Sequence, residues 1–577
     1  MKNPHENSEY KDYTPLGVAV GLFIGILMTA SFSYAALVLG FSTNGSPVAA
    51  VLGWGIMSAI FKRGTIIENN IIQTVASGVN TSTAGVIFTV PVLLIRGAEF
   101  NFWWVLAATV AGAILGVGFI IPLRKQMIDV DRLRFPSGTA ISSILRSPAE
   151  GLQKSKLLLW GGIISASVYF IIKFPTMGLP QIIPASFDLN PLFHLPDYIN
   201  NIWAVSLLSL GIGFIAGRNG LFVLAGGVLA YWLITPVVIS LGMIPPNIAE
   251  VNFSSFVHST VTRPLGIGML IGGSLMSIVL IIPAIKATFK SFSYSSVGGE
   301  NKEELSLSVL YKVILLAFLL FVASSYFTSD ISLPTAVLIS IVSTIWLVFA
   351  GIIVSQATGM TDWTPISGMS LIAVAILMLF LSSDEVTTAV LIGAAVSVAI
   401  AESADMMQDL KTGHLVGSTP IKQQTLQLLV AGIGPVISLS VMLLIWNSGG
   451  IDPATGNHLP GFGPGTDIEA PQAVALGATI DSIVDGNVPA DKFLAGGIIG
   501  AILSFTSIPG LGVIMGIAMY LSMKYILPYG LGSILSVLFL RWKGKHWVEN
   551  NGIPFSAGLI LGEALMIIVF ALITVFG

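Results

Sequence analysis

The sequence predicts an all-α polytopic membrane protein with about 14–16 membrane-embedded segments in two pseudo-symmetric halves. The first observation is composition: of 577 residues, 54% are hydrophobic and 10% are charged, whereas soluble proteins carry about 25% charged residues. The mean hydropathy of +0.88 agrees. The second and third observations are recurring long apolar stretches and an internal repeat.

The apolar stretches are roughly 20 residues long, which is enough to cross a bilayer core of about 30 Å. The clear examples are 16–40, 102–121, 157–174, 221–241, 266–285, 309–325, 335–354, 425–445 and 555–576. Lipid offers no hydrogen-bond partners to the backbone, so we expect helices, with broken helices or re-entrant hairpins where protein surrounds them.

The internal repeat consists of short matches at constant numerical offsets. An offset of 335 joins Asn70 to Asp405, Gln73 to Gln408, Ser77 to Thr412, Gly78 to Gly413, Pro136 to Pro471 and Gly161 to Gly496. An offset of 290 joins Pro264, Gly268 and Gly272 to Pro554, Gly558 and Gly562. Repeats of this kind are typical of secondary transporters.

The distribution of basic residues predicts the orientation of the halves. The stretch 124–156 is rich in Lys and Arg and is expected in the cytoplasm, whereas its counterpart 459–491 contains neither residue. Equivalent loops on opposite sides indicate inverted repeats. We therefore predict a cytoplasmic tail (1–13), a first transmembrane half (14–285), a cytoplasmic linker (286–308) and a second transmembrane half (309–577).

Several function classes are disfavoured by missing motifs. The chain has no Cys, no phosphate-binding GxxxxGK[ST] motif, and no Ser-His or HExxH arrangement, and its His residues do not pair at metal-ligand spacing. We therefore expect no enzyme activity, no cofactor, no nucleic-acid partner and no ATP-driven pumping by this chain itself; the carboxylates described below make a proton gradient the expected energy source.

The first candidate site is the polar segment 68–78. Asn69, Asn70, Gln73, Thr74 and Ser77 are predicted to bind substrate, because amides and hydroxyls offer the donors and acceptors that a peptide needs. Ser77 and Gly78 suggest a helix break that exposes backbone groups. The alternative is a polar contact between membrane helices.

The second candidate site is the repeat partner of the first. Glu402 ends an apolar run and stands three residues before Asp405, so two carboxylates would share one helix face and one proton. We predict proton coupling for Glu402 and substrate binding for Asp405 and Gln408. The alternative is a solvated helix cap, which is the expectation for Asp409.

Two further carboxylates complete the proton-coupling candidates. Glu68 opens the first polar segment, and Glu563 lies inside the last apolar stretch, where its repeat equivalent is Gly273. The alternative for Glu563 is a hydrogen bond to a neighbouring helix. Arg263 is expected to anchor a helix at the membrane interface, with contact to a carboxylate substrate as the alternative.

Several motifs resemble those of the oligopeptide transporter (OPT) family, in its bacterial branch near the yellow-stripe-like transporters. They are ENNIIQT (68–74), FPSGTA (135–140), TDW (361–363), DLKTG (409–413), GSTP (417–420), APQ (470–472) and PFSAGLI (554–560). The resemblance implies a proton-coupled secondary carrier for small peptides, peptide-like compounds or metal chelates. It also implies about 16 segments and a homo-oligomer.

The sequence-based expectation is therefore a multi-pass secondary transporter in the bacterial inner membrane that imports small peptides or peptide-like compounds. Import of metal-chelate complexes is the alternative, and a channel or a membrane-embedded enzyme are weaker ones. In the chelate case the protein would bind the whole complex, because Cys and His clusters are missing.

Overall fold

A computed structural model describes residues 14–40, 45–146, 148–246, 248–295, 303–328, 331–361, 364, 366–381, 385–450, 459–484 and 489–576. The predicted cytoplasmic tail, 1–13, lies outside the described residues. So do 296–302 of the predicted linker and most of the TDW motif, at 362–363.

Helices dominate the described chain. Those before the predicted linker, or entering it, are α1 (Pro15–Leu39), α2 (Ser46–Ala59), α3 (Ile66–Asn80), α4 (Ser82–Thr89), α5 (Pro91–Ile95), α6 (Phe102–Ile120), α7 (Pro136–Leu145), α8 (Pro148–Ile172), α9 (Asn190–Phe193), α10 (Leu207–Ala216), α11 (Gly220–Val228), α12 (Thr235–Ser240), α13 (Phe253–Val257) and α14 (Arg263–Ser295). A two-stranded antiparallel sheet, β1 (Ser186–Asp188) with β2 (Ile202–Ala204), pairs Ser186 with Ala204.

The later part of the chain is also helical. Its helices are α15 (Leu307–Thr328), α16 (Leu333–Thr361), α17 (Ile366–Leu377), α18 (Val386–Val416), α19 (Pro420–Val430), α20 (Ile433–Asn447), α21 (Pro471–Val484), α22 (Ala490–Leu503), α23 (Leu511–Tyr520), α24 (Met523–Lys543), α25 (Lys545–Trp547) and α26 (Ile553–Phe576).

Eleven helical segments in the described ranges are long and apolar enough to cross a membrane, and three shorter apolar helices accompany them. The prediction of an all-α polytopic membrane protein is therefore confirmed. The finer count of 14–16 embedded segments remains a prediction, because length and composition do not decide whether a short helix is embedded.

Helix α18 lies at the centre of the fold. In its most apolar stretch 94% of the residues are buried, against 22% in α15, whose surface therefore faces outward. Small residues let neighbours approach α18 closely: added Cβ atoms on Gly112 and Gly116 of α6 would collide with the carbonyls of Ala395 and Ala399. The result is a long helix enclosed by protein along most of its length.

Two helix pairs are packed through glycine-based contacts. In the pair α8–α26, a Cβ on Gly558 would meet the carbonyl of Leu158, and one on Gly562 would meet that of Gly162. Gly558 and Gly562 are four residues apart, a GxxxG spacing that lets two helix backbones pack closely. Each of these glycines removes a side chain where two backbones come together.

The pair α14–α22 repeats these contacts at shifted numbers. A Cβ on Gly268 would meet the carbonyl of Phe493, and one on Gly272 would meet that of Gly497. Adding 335 to the residue numbers of α8, and subtracting 290 from those of α26, gives the contacting residues of α22 and α14. Because α8 pairs with α26 and α14 with α22, each of the two predicted halves would supply one helix to each pair.

One pair of segments matched at offset 335, α3 and the end of α18, runs in opposite directions. Ser77 of α3 contacts Asp405 of α18, and Gln73 contacts Asp409. Residue numbers therefore increase along α3 in the direction in which they decrease along α18, so the two helices are antiparallel. This antiparallel arrangement is what an inverted repeat requires. The repeat and the division into halves remain predictions.

The first turns of α7 and α21 share an unusual backbone feature. The residues before their prolines, Phe135 and Ala470, have φ of 42° and 48°. This left-handed region is costly for residues with a side chain, by about 1–3 kcal/mol. The two residues occupy equivalent positions at the offset of 335, and Phe135 is held by a hydrogen bond from its N–H to the carbonyl of Gly359 (2.9 Å).

The predicted helix break at Ser77 and Gly78 is wrong. Helix α3 continues to Asn80, and a single residue, Thr81, separates it from α4. Gly78 serves close packing instead, because a Cβ there would lie 2.9 Å from Cγ of Gln427 on α19. Gly78 is thus a close-packing position inside a continuous helix.

The predicted linker is partly helical and contacts both halves. Helix α14 extends to Ser295, ten residues beyond the predicted boundary at 285. Glu304 accepts a hydrogen bond from Arg124 Nη1 (2.9 Å), and the carbonyl of Glu303 accepts one from the Ile421 N–H (2.9 Å). These contacts tie the segment before α15 to the basic stretch and to α19.

Adjacent glycines of α8 provide a test of this packing. Gly161→Ala would drive a Cβ into the carbonyl of Phe555, whereas a Cβ on Gly162 has ordinary contact, 3.6 Å from the carbonyl of Gly558. We expect Gly161→Ala to cost about 1–3 kcal/mol and to lower the melting temperature in detergent. Gly162→Ala should be neutral or slightly stabilising, since Ala is the better helix former.

The equivalent glycines of α22 repeat the experiment. Gly496→Ala should destabilise because a Cβ would meet the carbonyl of Leu265, and Gly497→Ala should be tolerated at 3.8 Å from the carbonyl of Gly268. Equal losses within either pair would show that helix–helix distance does not decide the effect.

Candidate functional site

Three carboxylates form a ladder along one face of α18. Glu402, Asp405 and Asp409 follow each other at spacings of three and four residues, which places them on one side of the helix over about 10 Å. Glu402 and Asp409 have no exposed surface, whereas Asp405 keeps a partly exposed side chain. We call these three residues the carboxylate ladder.

Helix α3 supplies hydrogen-bond donors to the ladder. The Ser77 hydroxyl donates to Asp405 Oδ2 (2.5 Å), and Gln73 Nε2 donates to Asp409 Oδ1 (2.6 Å). Ser46, the first residue of α2, places its hydroxyl 2.9 Å from Ser77 Oγ and 3.4 Å from Asp405 Oδ1. Part of the polar segment predicted at 68–78 therefore points at the carboxylates of α18.

Helix α19 supplies a second set of amide donors. Gln427 Nε2 lies 3.4 Å from both Glu402 Oε2 and Asp405 Oδ2, so it bridges two carboxylates. Gln423 Nε2 donates to Thr74 Oγ1 and to the carbonyl of Asp409, each at 2.9 Å. Amides and hydroxyls of three helices thus occupy the places that cations take around most buried carboxylates.

The charge balance of the ladder is unusual. Across the described residues, none of Glu402, Asp405 and Asp409 forms an ion pair with Lys, Arg or His. Glu402 Oε1 and Asp409 Oδ2 are buried and find no hydrogen-bond partner in the described part of the chain. Three like charges in such surroundings are costly, so the arrangement favours proton occupancy.

The other substrate-binding candidates occupy different places. Asn69 faces α2, where a Cβ on Gly53 would lie 2.7 Å from its Oδ1. Asn70 is fully buried, and its amide has no hydrogen-bond partner in the described ranges. Gln408 lies where α18 packs on α7, near Gly138. The structure joins Gln73, Thr74, Ser77 and Asp405 but not these three.

Glu68 lies apart from the ladder, at the start of α3. Its side chain accepts a hydrogen bond from Thr14 Oγ1 (2.5 Å) and pairs with Arg63 Nη2 (3.4 Å). Thr14 is the N-terminal cap of α1, so Glu68 ties two helix starts together. A cation already balances this carboxylate, in contrast to those of the ladder. The proton-coupling role of Glu68 remains a prediction.

Glu563 also lies outside the ladder. Its two oxygens accept hydrogen bonds from Ser206 Oγ and from the N–H of Leu208, both at 2.8 Å. Ser206 is the N-terminal cap of α10, so the carboxylate completes the cap from α26. This geometry favours the alternative stated for Glu563, a hydrogen bond to a neighbouring helix.

Sequence reasoning missed several members of the site. Asp409 was expected in a solvated cap, yet it is fully buried and closes the ladder. The sequence does hold an indication of this: Asp409 lies seven residues after Glu402, and residues seven apart share one face of a helix. Gln423 and Gln427 are four residues apart on α19, so they also share a helix face. Nothing in the sequence marks Ser46 as a member of the site.

The comparison with known families follows the same segments of the chain. A sequence model of the OPT oligopeptide transporter protein matches residues 12–574, which include the helices described above except for the last two residues of α26. The chain belongs to the OPT oligopeptide transporter family. It is accordingly a membrane transport protein rather than an enzyme.

Individual relatives within the OPT family divide between two substrate types. A Haemophilus influenzae protein described as a candidate oligopeptide transporter is 28% identical, over 94% of this chain and 92% of its own length. A metal-nicotianamine transporter of Arabidopsis thaliana is 21% identical over 79% of this chain and 76% of its own. An iron-phytosiderophore transporter of Oryza sativa is 24% identical over 61% and 55%.

The capping geometry of Glu563 yields a testable separation of stability from transport. Glu563→Gln should lower the free energy of unfolding by about 1–2 kcal/mol, and with it the melting temperature. The reason is that a carboxylate acceptor at a helix start is replaced by a neutral amide. Transport driven by a pH gradient should persist. Loss of that transport at an unchanged melting temperature would instead make Glu563 a coupling residue.

Proposed function

We propose that this protein is a proton-coupled secondary transporter that imports small peptides or peptide-like compounds across the bacterial inner membrane. The observation that carries the proposal is the carboxylate ladder, which lies between two antiparallel helices and has no cationic partner among the described residues. Coupling by protons needs groups that gain and lose charge inside the membrane, and such carboxylates are functional by default.

The hydrogen bonds of Asp405 explain how a proton changes the site. The ionised carboxylate accepts from Ser77 and from Gln427, whereas the protonated acid has an O–H to donate. The Ser77 hydroxyl accepts as readily as it donates, so the contact survives while its direction reverses. Asp405 is the partly exposed member of the ladder, which supports it as the entry point for the proton.

Protonation also changes the cost of moving the ladder. Charged carboxylates need the donors on α3 and α19, because an unpaired charge in an apolar interior is expensive. Neutral acids depend less on those donors, so α3 and α18 are freer to shift against each other. The proposed cycle therefore links proton binding to the contact between the two repeat-related helices.

Gln73, Thr74 and Ser77 support this coupling role more directly than the predicted substrate-binding role. Their side chains are buried and bonded to α18 or α19. Asn69 and Asn70, whose amides have no hydrogen-bond partner in the described part of the chain, keep their proposed role in substrate binding.

Metal-chelate import is the second candidate function. It is favoured by the relatives named as metal-nicotianamine and iron-phytosiderophore transporters. Across the described residues no cluster of three or more His, Asp or Glu is arranged to hold a metal ion. A metal would therefore travel inside its chelator. The inner-membrane location is supported by the bacterial relative, and a homo-oligomer remains part of the proposal.

The coupling role of the ladder is tested with purified protein in liposomes. Asp405→Asn and Glu402→Gln remove a titratable group at nearly constant shape, so each should abolish uptake driven by an inward proton gradient. Exchange of labelled for unlabelled substrate at equal pH should continue, because exchange needs no net proton transfer. Both rates are measured on the same preparation.

Asp491→Asn is the matched control. Asp491 is an exposed residue at the start of α22 and should be dispensable for either rate. If Asp405→Asn and Glu402→Gln both keep full gradient-driven uptake, the ladder does not couple protons to transport.

Substrate class is tested by ligand stabilisation. A ligand that binds only the folded state stabilises the protein and raises its melting temperature. At a free ligand concentration 100 times the dissociation constant, the stabilisation is about 2.7 kcal/mol. We expect di-, tri- and tetrapeptides to stabilise the protein. Stabilisation by iron or nickel chelates alone would assign the protein to metal acquisition and overturn the peptide assignment.

A further inference from the structure

A basic and aromatic surface forms where the chain turns from α24 into α25. Arg541, Trp542 and Lys543 end α24, Gly544 breaks the helix with a φ of 83°, and Lys545 begins α25. The four residues with side chains are exposed, and Trp542 is 72% exposed. We call Arg541, Trp542, Lys543 and Lys545 the basic corner.

The basic corner lies at the membrane surface that is predicted to face the cytoplasm. It leads into α26, whose contacts with α8 rise together in residue number, from Leu158 and Gly558 to Gly162 and Gly562. The two helices are therefore parallel and begin at the same end of the molecule. Helix α8 begins inside the basic stretch 124–156, which the positive-inside rule assigns to the cytoplasm.

Aromatic rings support the basic corner from beneath. Phe539 of α24 stacks on Trp547, with ring centres 4.9 Å apart, and also contacts Trp542 at 5.8 Å. Phe214 of α10 contacts Phe539 from the other side, with ring centres 6.3 Å apart. Lys543 Nζ lies 4.1 Å from the ring centre of Trp542, which is a cation–π contact. The indole and the ammonium group are therefore held side by side.

The cations of the basic corner are incompletely balanced within the chain. Arg541 and Lys543 form no ion pair across the described residues. Lys545 Nζ lies 3.5 Å from Glu549 Oε1, but both side chains are exposed, and exposed pairs of this kind are weak. The corner therefore keeps a net positive charge that an anion from outside the chain can balance.

An exposed apolar stripe on α24 leads to the basic corner. Its members follow each other at spacings of three and four residues, so they share one helix face. They are Leu531, Ile534, Leu538 and Trp542. Over these 11 steps the helix rises about 16 Å, which is close to half of a bilayer core of about 30 Å. A different face of α24 packs on α10, where the Ser533 hydroxyl donates to the carbonyl of Gly213 (2.9 Å).

We propose that the stripe and the basic corner bind one anionic phospholipid, with its acyl chains along the stripe and its phosphate beside Arg541 and Lys543. The order of groups along α24, from hydrocarbon to indole to cations, matches the order of groups in such a lipid. The helix dipole also favours cations at the end of α24, but it does not require the exposed indole or the stripe. A soluble anion would account for the cations alone, and a zwitterionic lipid for the stripe and the indole alone.

The test uses the full-length protein in detergent and two lipids with the same acyl chains. Phosphatidylglycerol carries a net negative charge, whereas phosphatidylcholine carries none. Native mass spectrometry gives the dissociation constant of the first lipid bound in each titration. Phosphatidylglycerol should bind about 25-fold more tightly, because two nearby cations contribute about 5-fold each. Comparing two lipids on one preparation makes the ratio insensitive to partial unfolding.

Variants assign the lipid preference to the basic corner. Arg541→Gln and Lys543→Gln should each lower the ratio about 5-fold, and the double variant should bind both lipids alike. Binding of phosphatidylcholine should change little in any of them. Lys524→Gln is the matched control, because Lys524 lies at the opposite end of α24 and is paired with Asp467 (2.8 Å). This control should keep the wild-type ratio.

Three results would overturn the proposal. The first is that the wild type binds the two lipids equally or does not bind phosphatidylglycerol. The second is that the double variant keeps the wild-type ratio, which would place the lipid elsewhere. The third is displacement of phosphatidylglycerol by millimolar inorganic phosphate, which has no acyl chain and would mark a site for soluble anions. The proposed transport function does not depend on any of these results.

Discussion

The contact between α3 and the carboxylate ladder of α18 is the interaction on which the rest of the structure depends. Carboxylates at the centre of a membrane protein need partners, and here those partners are hydroxyls and amides rather than cations. Such partners satisfy either protonation state. An arginine or lysine in the same place would hold the carboxylates permanently ionised and would leave no proton to exchange.

The packing around α18 follows from this requirement. Most of the ladder is enclosed by protein, and small residues on α4 and α6 bring their backbones close to α18, as at Gly85, Gly112 and Gly116. The pairs α8–α26 and α14–α22 use the same close glycine packing and would join the two predicted halves. Movement of one half would therefore act on both pairs, which is a suitable arrangement for alternating access.

Sequence reasoning reached the membrane class, the family and the polar faces of α3 and α18, because each depends on local composition or spacing. It did not reach Asp409 as a buried residue, since only tertiary packing decides whether the end of a polar segment is covered. Gly78 shows the same limit: a glycine in a helix marks a break or a close contact, and only the neighbour, Gln427, distinguishes them.

Charge pairing is similarly invisible before the fold is known. Glu68, Glu402 and Glu563 are all carboxylates beside or within apolar segments, yet one meets an arginine, one meets a glutamine amide and one caps a helix. Arg263, Glu469 and Tyr520 are a further case, because they come from distant parts of the sequence and come together only in three dimensions.

The most direct test of the central claim is to record proton movement caused by substrate alone. Protein-containing liposomes with a pH-sensitive dye inside are given an inward substrate gradient at equal pH on both sides. The ladder as a coupling element predicts acidification of the interior that follows substrate entry and is absent in Asp405→Asn. Substrate entry without acidification would contradict proton coupling.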